Sequence, residues 1–158
     1  MYQRILVPID GSTTSNQGLD EAIKLAKLTG ASLRVIHVVD ALTFATGSEL
    51  YGGFASDVIP QMREAGEQIV EKARTRVKEQ GVTVDSMLFD SLSTRVSDIV
   101  VDQANAWDAD LIVIGTHGRR GVKRLMLGSD AEQIVRMAPV PVLLVRAPEV
   151  KESDVTPA

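Results

Sequence analysis

The chain of 158 residues contains no cysteine. This absence excludes disulfide bonds, thiolate catalysis and zinc sites built on cysteine, and it suits a reducing compartment. Aromatic residues are also scarce, with one tryptophan, two tyrosines and three phenylalanines. An aromatic platform that stacks nucleic acid bases is therefore not expected.

An excess of positive charge is lacking too, because 21 acidic residues outnumber 17 basic ones and the formal net charge is −4. Broad binding to nucleic acid or to an anionic membrane needs a dominant basic face, so neither partner is expected. No apolar run reaches transmembrane length. The chain also begins directly with a strand-like run instead of a signal peptide, which predicts a cytoplasmic protein.

Several common catalytic and phosphate-binding motifs are missing. The chain has neither a P-loop, G-x4-G-K-[ST], nor the dinucleotide fingerprint G-x-G-x-x-G. It also has no G-x-S-x-G nucleophile elbow and no His-Glu-x-x-His metal spacing. Efficient hydrolysis has no obvious machinery, so an enzyme is the less favoured interpretation.

What is present is a regular alternation of short β-branched runs and longer helical patterns, which is typical of βαβ units in a mainly parallel sheet. Three of the runs are continuously apolar, which predicts strands covered on both faces. The five predicted strands are Arg4–Ile9, Ser32–Val39, Val82–Asp90, Asp110–Gly115 and Val140–Arg146.

Four helices are expected between these strands. The first follows an N-cap at Ser12 or Thr13 and ends at Gly30, a residue suited to the left-handed position after a helix. The apolar stripe of the second comprises Met62, Ala65, Ile69, Ala73 and Val77. This helix begins between residues 56 and 60, with Pro60 in its first turn, and stops at Gly81.

The third predicted helix follows Ser93 and buries Val96, Ile99, Val100 and Ala104. The fourth follows Ser129, carries Ala131, Ile134 and Val135 on its apolar side, and ends before Pro139.

The segment from Gly115 to Ser129, GTHGRRGVKRLMLGS, is the strongest functional signal. Glycines allow backbone N–H groups to approach an anion closely, and the N-terminus of the following helix favours negative charge. The segment therefore predicts a phosphate-binding loop. Its cations either contact phosphate or form a solvated face, and Arg119 and Arg120 are the better candidates because they lie nearest Gly118.

Three informative segments follow strand ends: Pro8 to Ser12, Val38 to Val39, and the residues from Gly115 onward. Parallel sheets bind ligands outside the carboxyl ends of their strands, where strand order reverses. We therefore expect the three segments to form one crevice.

The glycine spacing, Gly115-x2-Gly118-x9-Gly128-Ser129, resembles the ATP-binding branch of the universal stress protein family. The segments VPIDGS, HVVD, DLIVIGTHG and PVPVLLVR are similar to that family in the same order. The resemblance covers residues 1–147 as one nucleotide-binding domain and leaves residues 148–158 as a flexible tail. It implies a Rossmann-like α/β fold, with a five-stranded parallel sheet in the order 3-2-1-4-5 and helices on both faces.

The resemblance also implies ligand contacts. Pro8 and the backbone at Val38 would flank adenine, Asp10 would lie near ribose and Mg²⁺-bound phosphates, and the two glycine segments would hold ribose and phosphate. The candidate binding residues are Pro8, Ile9, Asp10, Val38, Gly115, Thr116, His117, Gly118, Arg119, Arg120, Gly121, Gly128, Ser129, Asp130 and Ala131.

Two acidic or basic side chains have an alternative structural interpretation. Asp130 either affects the triphosphate or its metal, or it simply stabilises the first turn of a helix through the helix dipole, which is the favoured interpretation. His37 lies within a strand and is expected to be a hydrogen-bonded structural residue.

The function implied by the resemblance is that of an ATP-binding, nucleotide-responsive regulator of stress response, with AMP, ADP and cyclic AMP as other possible occupants. A homodimer paired through Val140–Arg146 is expected, because that apolar strand would otherwise leave an open sheet edge. Two alternatives remain: a slow ATPase or nucleotidyl-transfer enzyme using Asp10 and a metal, and a dimeric scaffold that binds no nucleotide.

Overall fold

The structure is a computed structural model that describes residues 1–41, 55–116 and 127–146. Five strands are formed by β1 (Arg4–Pro8), β2 (Ser32–Val39), β3 (Val84–Asp90), β4 (Leu111–Gly115) and β5 (Val142–Val145). Among the described residues the helices of the fold are α1 (Thr13–Thr29), α2 (Ala55–Glu79), α3 (Val96–Ala106) and α4 (Ser129–Met137).

The strands form a single parallel sheet in the order β3-β2-β1-β4-β5. This confirms the order 3-2-1-4-5. The order reverses beside β1, since the chain first moves outward to β2 and β3 and then returns to β4 on the other side. The carboxyl ends of β1 and β4 therefore border the switch point at which such sheets bind ligands.

Helices cover both faces of the sheet, as expected. On one face, α1 and α2 pack on residues such as Val7, Leu33 and Val113. On the other, α3 and α4 pack on Leu6, Ile36 and Ile112. Successive residues of a strand point to opposite faces, so this division also decides which side chains can meet at the carboxyl edge.

Both ends of α1 lie where the sequence predicts them. Ser12 is the N-cap, and its Oγ accepts a hydrogen bond from the Ser15 N–H at 3.2 Å. At the other end Gly30 has φ of 77°, a left-handed conformation that glycine adopts without the steric cost of a Cβ.

α2 begins one residue before its predicted range of 56–60, and the predicted place of Pro60 in its first turn is wrong. The helix begins at Ala55, so Pro60 lies inside it and not in its first turn, and one backbone hydrogen bond is missing there. The predicted apolar stripe is correct for Ala73 and Val77, which are buried. Ala65 is exposed instead, and Val70 is buried, because the helix is rotated slightly relative to that stripe.

The start of α3 also differs from the prediction. Its N-cap is Arg95, whose side chain makes no capping hydrogen bond, so Ser93 does not cap the helix. Val100 and Ala104 are buried as predicted, whereas Val96 and Ile99 are only half-buried. The helix predicted to follow Ser93 therefore begins two residues later, at Val96.

Four strands are shorter than predicted, β1 and β4 by one residue each, β3 by two and β5 by three. β3 begins at Val84 because the N–H of Val82 instead turns back to the carbonyl of Val77 at the end of α2. β5 begins at Val142 because Pro141 has no N–H to donate to the sheet. Only the carbonyl of Pro141 takes part, accepting a hydrogen bond from Ile112 at 3.0 Å.

The prediction that β5 is covered on both faces is wrong for this chain. β5 is the edge strand and pairs with β4. Leu143 and Leu144 are 38% and 39% exposed. A continuous apolar run is typical of a buried strand, but here it leaves an apolar strand at an edge.

The single tryptophan is used in packing. Trp107 ends α3, and the guanidinium of Arg34 lies 4.7 Å from the centroid of its ring. Arg34 also pairs with Asp85 on the neighbouring strand at 2.5 Å. Trp107 therefore has a structural partner and is not part of the carboxyl edge.

Across the three described ranges, each helix is either too short or too polar to cross a membrane.

We expect the central strands to dominate stability. Leu6 is fully buried in β1, so Leu6→Ala should lower the free energy of unfolding by about 2–5 kcal/mol. The matched control is Leu28→Ala, because Leu28 is 82% exposed on α1 and its replacement should change stability by less than about 0.5 kcal/mol. Urea unfolding measures both values, and equal losses would contradict the burial pattern.

Candidate functional site

The loop that follows β1 is held against the first turn of α1 by side-chain hydrogen bonds. Asp10 Oδ1 accepts a hydrogen bond from the Ser12 N–H at 2.8 Å, and the Asp10 N–H donates to Ser15 Oγ at 3.3 Å. Ser15 Oγ in turn donates to the Ser12 carbonyl at 3.1 Å. Between them, Gly11 has φ of 80°, a conformation that favours glycine. The carboxylate of Asp10 is thus oriented by a hydrogen bond from the backbone of its own loop.

The end of β2 is connected to the same loop. The Ile9 N–H donates to the Ile36 carbonyl at 2.8 Å, which continues the pairing of β1 with β2 beyond Pro8. His37 Nδ1 donates to the Ile9 carbonyl at 2.7 Å, and the ring is buried. A carbonyl can only accept, so Nδ1 carries the proton. The interpretation of His37 as a hydrogen-bonded structural residue is confirmed.

Pro8 and Val38 are brought to one face of the sheet. Leu6 and Ile36 lie on the face covered by α3 and α4, and Pro8 pairs in register with Ile36. By strand alternation Pro8 and Val38 point to this same face. Both are half-buried at the carboxyl edge. The two residues expected to flank adenine therefore share one face at the carboxyl ends of neighbouring strands.

The end of β4 is packed very closely against α1. A Cβ added to Gly115 would lie 2.7 Å from the Thr14 carbonyl oxygen, and one added to Gly18 would lie 3.3 Å from the Gly115 nitrogen. The φ of Gly115 is not positive, so the glycine is required by space and not by backbone conformation. Gly115 thus has a packing role that the phosphate-loop interpretation did not include.

The backbone of Thr116 connects the two ends of the segment from Gly115 to Ser129. Its N–H donates to the Val145 carbonyl at 3.0 Å, and its carbonyl accepts the Gly128 N–H at 2.8 Å. The start of α4 is therefore adjacent to the end of β4. The N–H of Gly128 is used in this hydrogen bond, so it is not available to a ligand. Contact between Gly128 and a nucleotide stays a prediction and would have to involve its other atoms.

The side chain of Thr116 is buried but unsatisfied. It is 6% exposed, and its Oγ1 has no hydrogen-bond partner among the residues described. Strand alternation from Ile112 and Ile114 places it on the face that also carries Pro8 and Val38. An unpaired buried hydroxyl costs about 1–3 kcal/mol, so this atom is suited to pair with a bound polar group.

The first turn of α4 supplies further donors. Gly128 is the N-cap, with φ of −57° and no capping side chain, and the first helical hydrogen bond runs from the Glu132 N–H to its carbonyl. The N–H groups of Ser129 and Ala131 precede that bond, at the end of the helix where donors have no acceptor in a preceding turn. Asp130 and Glu132 are the acidic residues of this turn, which agrees with stabilisation of the helix dipole.

The remaining predicted binding residues are His117, Gly118, Arg119, Arg120 and Gly121, which lie outside the described residues. Their roles stay predictions. Metal binding is predicted at Asp10 alone. In the described part of the chain, no group of three or more His, Asp or Glu side chains could hold a metal ion by itself.

Sequence reasoning missed the contribution of α1. Thr14, Ser15 and Gly18 align the β1 loop and the end of β4 from a single helical turn. Gly18 was the available signal, because glycine inside a helix costs about 1 kcal/mol relative to alanine and is usually kept for close packing.

Comparison with known proteins then identifies the family. The sequence profile of the universal stress protein family matches residues 1–146. The chain belongs to the universal stress protein family.

Individual relatives agree. A universal stress protein of Methanocaldococcus jannaschii is 33% identical over 150 residues, covering 94% of this chain and 85% of that protein. The crystal structure of a family member from Burkholderia pseudomallei is 29% identical with a TM-score of 0.73, covering 92% and 97% of the two chains. A universal stress protein structure from Archaeoglobus fulgidus, in complex with dAMP, is 24% identical with a TM-score of 0.63, covering 91% and 98%.

The contact between Gly115 and α1 predicts that substitutions of its two glycines lower stability by different amounts. Gly115→Ala should lower the free energy of unfolding by about 1–3 kcal/mol, because the new methyl group meets backbone atoms that cannot easily move. Gly18→Ala should cost less, since its methyl group has more space and alanine gains about 1 kcal/mol of helix propensity. Urea unfolding of both variants checks this order, and an unchanged stability of Gly115→Ala would contradict the packing.

Proposed function

We propose that this universal stress protein binds an adenine nucleotide at the carboxyl edge of its sheet and acts as a nucleotide-responsive regulator in stress response. ATP with Mg²⁺ is the favoured occupant, and AMP or ADP would use the same adenosine contacts. The observation that carries the proposal is the meeting of Pro8, Val38 and the unpaired hydroxyl of Thr116 on one face of this edge. The dAMP complex of the Archaeoglobus fulgidus relative supports it.

Each part of the nucleotide has a suitable counterpart in the chain. Pro8 and Val38 offer half-buried apolar surface to the base. The first turn of α4 offers N–H groups and the positive end of the helix dipole to the phosphates. These two regions lie on the same face and edge of the sheet, so a single ligand can reach both.

Asp10 is the described residue best suited to hold Mg²⁺, because its carboxylate is a hard oxygen ligand at this edge. Mg²⁺ is usually bound through one or two carboxylates together with substrate phosphates and water, which fits a site with few protein ligands of its own. When bound, the ion would neutralise part of the phosphate charge. Asp10 would hold it from a loop fixed by Ser12 and Ser15.

The position of the proposed site supports a regulatory role. The nucleotide would contact the β1 loop and the start of α4 together, so its phosphates would alter the surface that surrounds them. A ligand shifts a protein between states only when it binds them with different affinity, and phosphate groups distinguish ATP from AMP. We also propose that the protein works in the cytoplasm, which the absence of cysteine supports.

We further propose a homodimer that pairs through β5. The exposed apolar residues near the C-terminal part of the fold are Val135, Met137, Leu143 and Leu144, each 38–43% exposed. An apolar edge strand with unpaired backbone groups invites pairing with a second chain, and a twofold dimer would cover both copies at once.

Replacement of Thr116 should lower the affinity for nucleotide without lowering the stability of the free protein. Thr116→Val removes the unpaired hydroxyl with little change of shape, so the free protein should be as stable as before or more stable. If the hydroxyl pairs with the nucleotide, affinity for ATP and Mg²⁺ should fall about tenfold or more. Isothermal titration calorimetry and urea unfolding give the two values.

Ser97→Ala is the matched control for this experiment. Ser97 is 1% exposed, and its hydroxyl also lacks a partner among the described residues, but it lies on α3 outside the predicted contacts. This variant should bind ATP normally. No measurable ATP binding by the original protein would refute the proposed function, whereas ATP turnover abolished by Asp10→Ala would favour the enzymatic alternative.

The dimer generates its own prediction. Leu143→Lys places a charge in the proposed interface and should convert a dimer into monomers in light scattering after size-exclusion chromatography. Leu28→Lys adds the same charge at an 82% exposed site on α1 and should leave the dimer intact. Survival of the dimer in Leu143→Lys would place the interface elsewhere.

A further inference from the structure

A second concave feature lies on the opposite face of the sheet from Pro8 and Val38. It is a groove of about 500 Å³ between α1 and α2. This volume lies in the range of small-molecule sites, roughly 300–1,000 Å³. We name it the α1–α2 groove, and its lining includes Asn16 and Leu19 of α1 together with Ala65, Ile69 and Lys72 of α2.

The floor of the groove is apolar. Leu19 and Ala73 lie beneath it, only 1% and 5% exposed, so the apolar surface that a ligand can reach here comes from half-buried Ile69. Ala65 adds an exposed methyl group at the side. A short hydrocarbon chain lying here would be removed from water on one side, which favours binding.

The walls of the groove are polar and carry positive charge. Asn16 and Gln68 supply amide groups, and Lys72 and Arg76 supply cations. Arg76 is already paired with Asp20 across the two helices at 2.5 Å. Lys72 makes no ion pair within the described ranges of the chain, so its ammonium group remains available to a ligand anion.

The groove is limited at one end by contacts between its two helices. Beyond the pair of Arg76 with Asp20, Lys27 Nζ donates to Gln80 Oε1 at 2.9 Å. At its other end the groove reaches Gly11, in the loop that orients Asp10. The cavity is therefore short, which suits a small molecule better than an extended protein segment.

We propose that the α1–α2 groove is a ligand site for a small amphipathic organic carboxylate. The apolar body would lie against Ile69 and Ala65, and the carboxylate would pair with the ammonium group of Lys72. The residues expected to bind the nucleotide are different ones, so this site does not depend on the proposed nucleotide function.

The test uses octanoate as the probe, with the full chain in the absence of nucleotide. Calorimetry gives the affinity, and amide shifts in NMR spectra give the location. Octanoate should shift residues of α1 and α2 around the groove. Acetate, which has the charge without the apolar body, and 1-octanol, which has the body without the charge, should each bind more weakly than octanoate.

Two variants test the two halves of the site. Lys72→Gln should weaken octanoate binding about fivefold, the size expected for an exposed ion pair, and should leave 1-octanol binding unchanged. Ala65→Phe should fill the groove and weaken both probes at least tenfold. Because Ala65 is exposed, its replacement should not disturb the core, and thermal unfolding verifies this.

Matched controls use residues outside the groove. Lys78→Gln removes an exposed cation from the last turn of the same helix, and Ala106→Phe adds an aromatic ring at an exposed position on α3. Neither should change octanoate affinity. The proposal is overturned if octanoate does not bind, if its shifts lie away from the two helices, or if folded Ala65→Phe and Lys72→Gln proteins bind it as before.

Discussion

The contact between the first turn of α1 and the end of β4 is the constraint on which the arrangement of the site depends. Only a hydrogen atom fits between Gly115 and the Thr14 carbonyl, and at Gly18, one turn further along the helix, an added Cβ would lie 3.3 Å from the Gly115 nitrogen. The same turn holds the β1 loop through Ser12 and Ser15. A single turn of helix therefore sets the positions of two loops that are about one hundred residues apart in sequence.

The backbone of Thr116 extends this arrangement to the start of α4. One hydrogen bond joins Thr116 to β5 and another joins it to Gly128, so the helix start proposed to bind phosphate is attached directly to the sheet. Its N–H groups are then oriented before any ligand arrives, and little reorganisation is needed on binding. The hydroxyl of Thr116 stays unpaired within the described chain, an unfavourable feature for stability that a polar ligand would remove.

The two faces of the sheet serve different purposes in this interpretation. Pro8, Val38 and Thr116 face α3 and α4, where the nucleotide is proposed, whereas the α1–α2 groove opens on the other face. The β1 loop lies between them, because Asp10 belongs to the first site and Gly11 borders the second. A ligand in either place would contact the same short loop, which gives the family scaffold two adjacent surfaces through which small molecules can act.

Most of the fold could be predicted from local pattern. The limits of β2 were correct, and Ser12 and Gly30 marked the ends of α1 because capping and left-handed geometry are local properties. The structural role of His37 was also predictable from its place within a strand. Predictions failed where a distant contact decided the outcome, as at Val82, which turns back to α2 instead of joining β3.

By itself, the sequence determined the class of fold, the strand and helix succession, the glycine spacing and the family, because each is carried by residues that are close in the chain or by an ordered set of motifs. Only the tertiary structure decided that Gly115 is needed for packing against α1, that Gly128 donates its N–H to Thr116, and that Leu143 and Leu144 of the edge strand β5 are 38% and 39% exposed. The physical reason is that these properties belong to pairs of atoms from separate elements. Local periodicity indicates which side of an element is apolar, but it does not say which neighbour, if any, lies against that side.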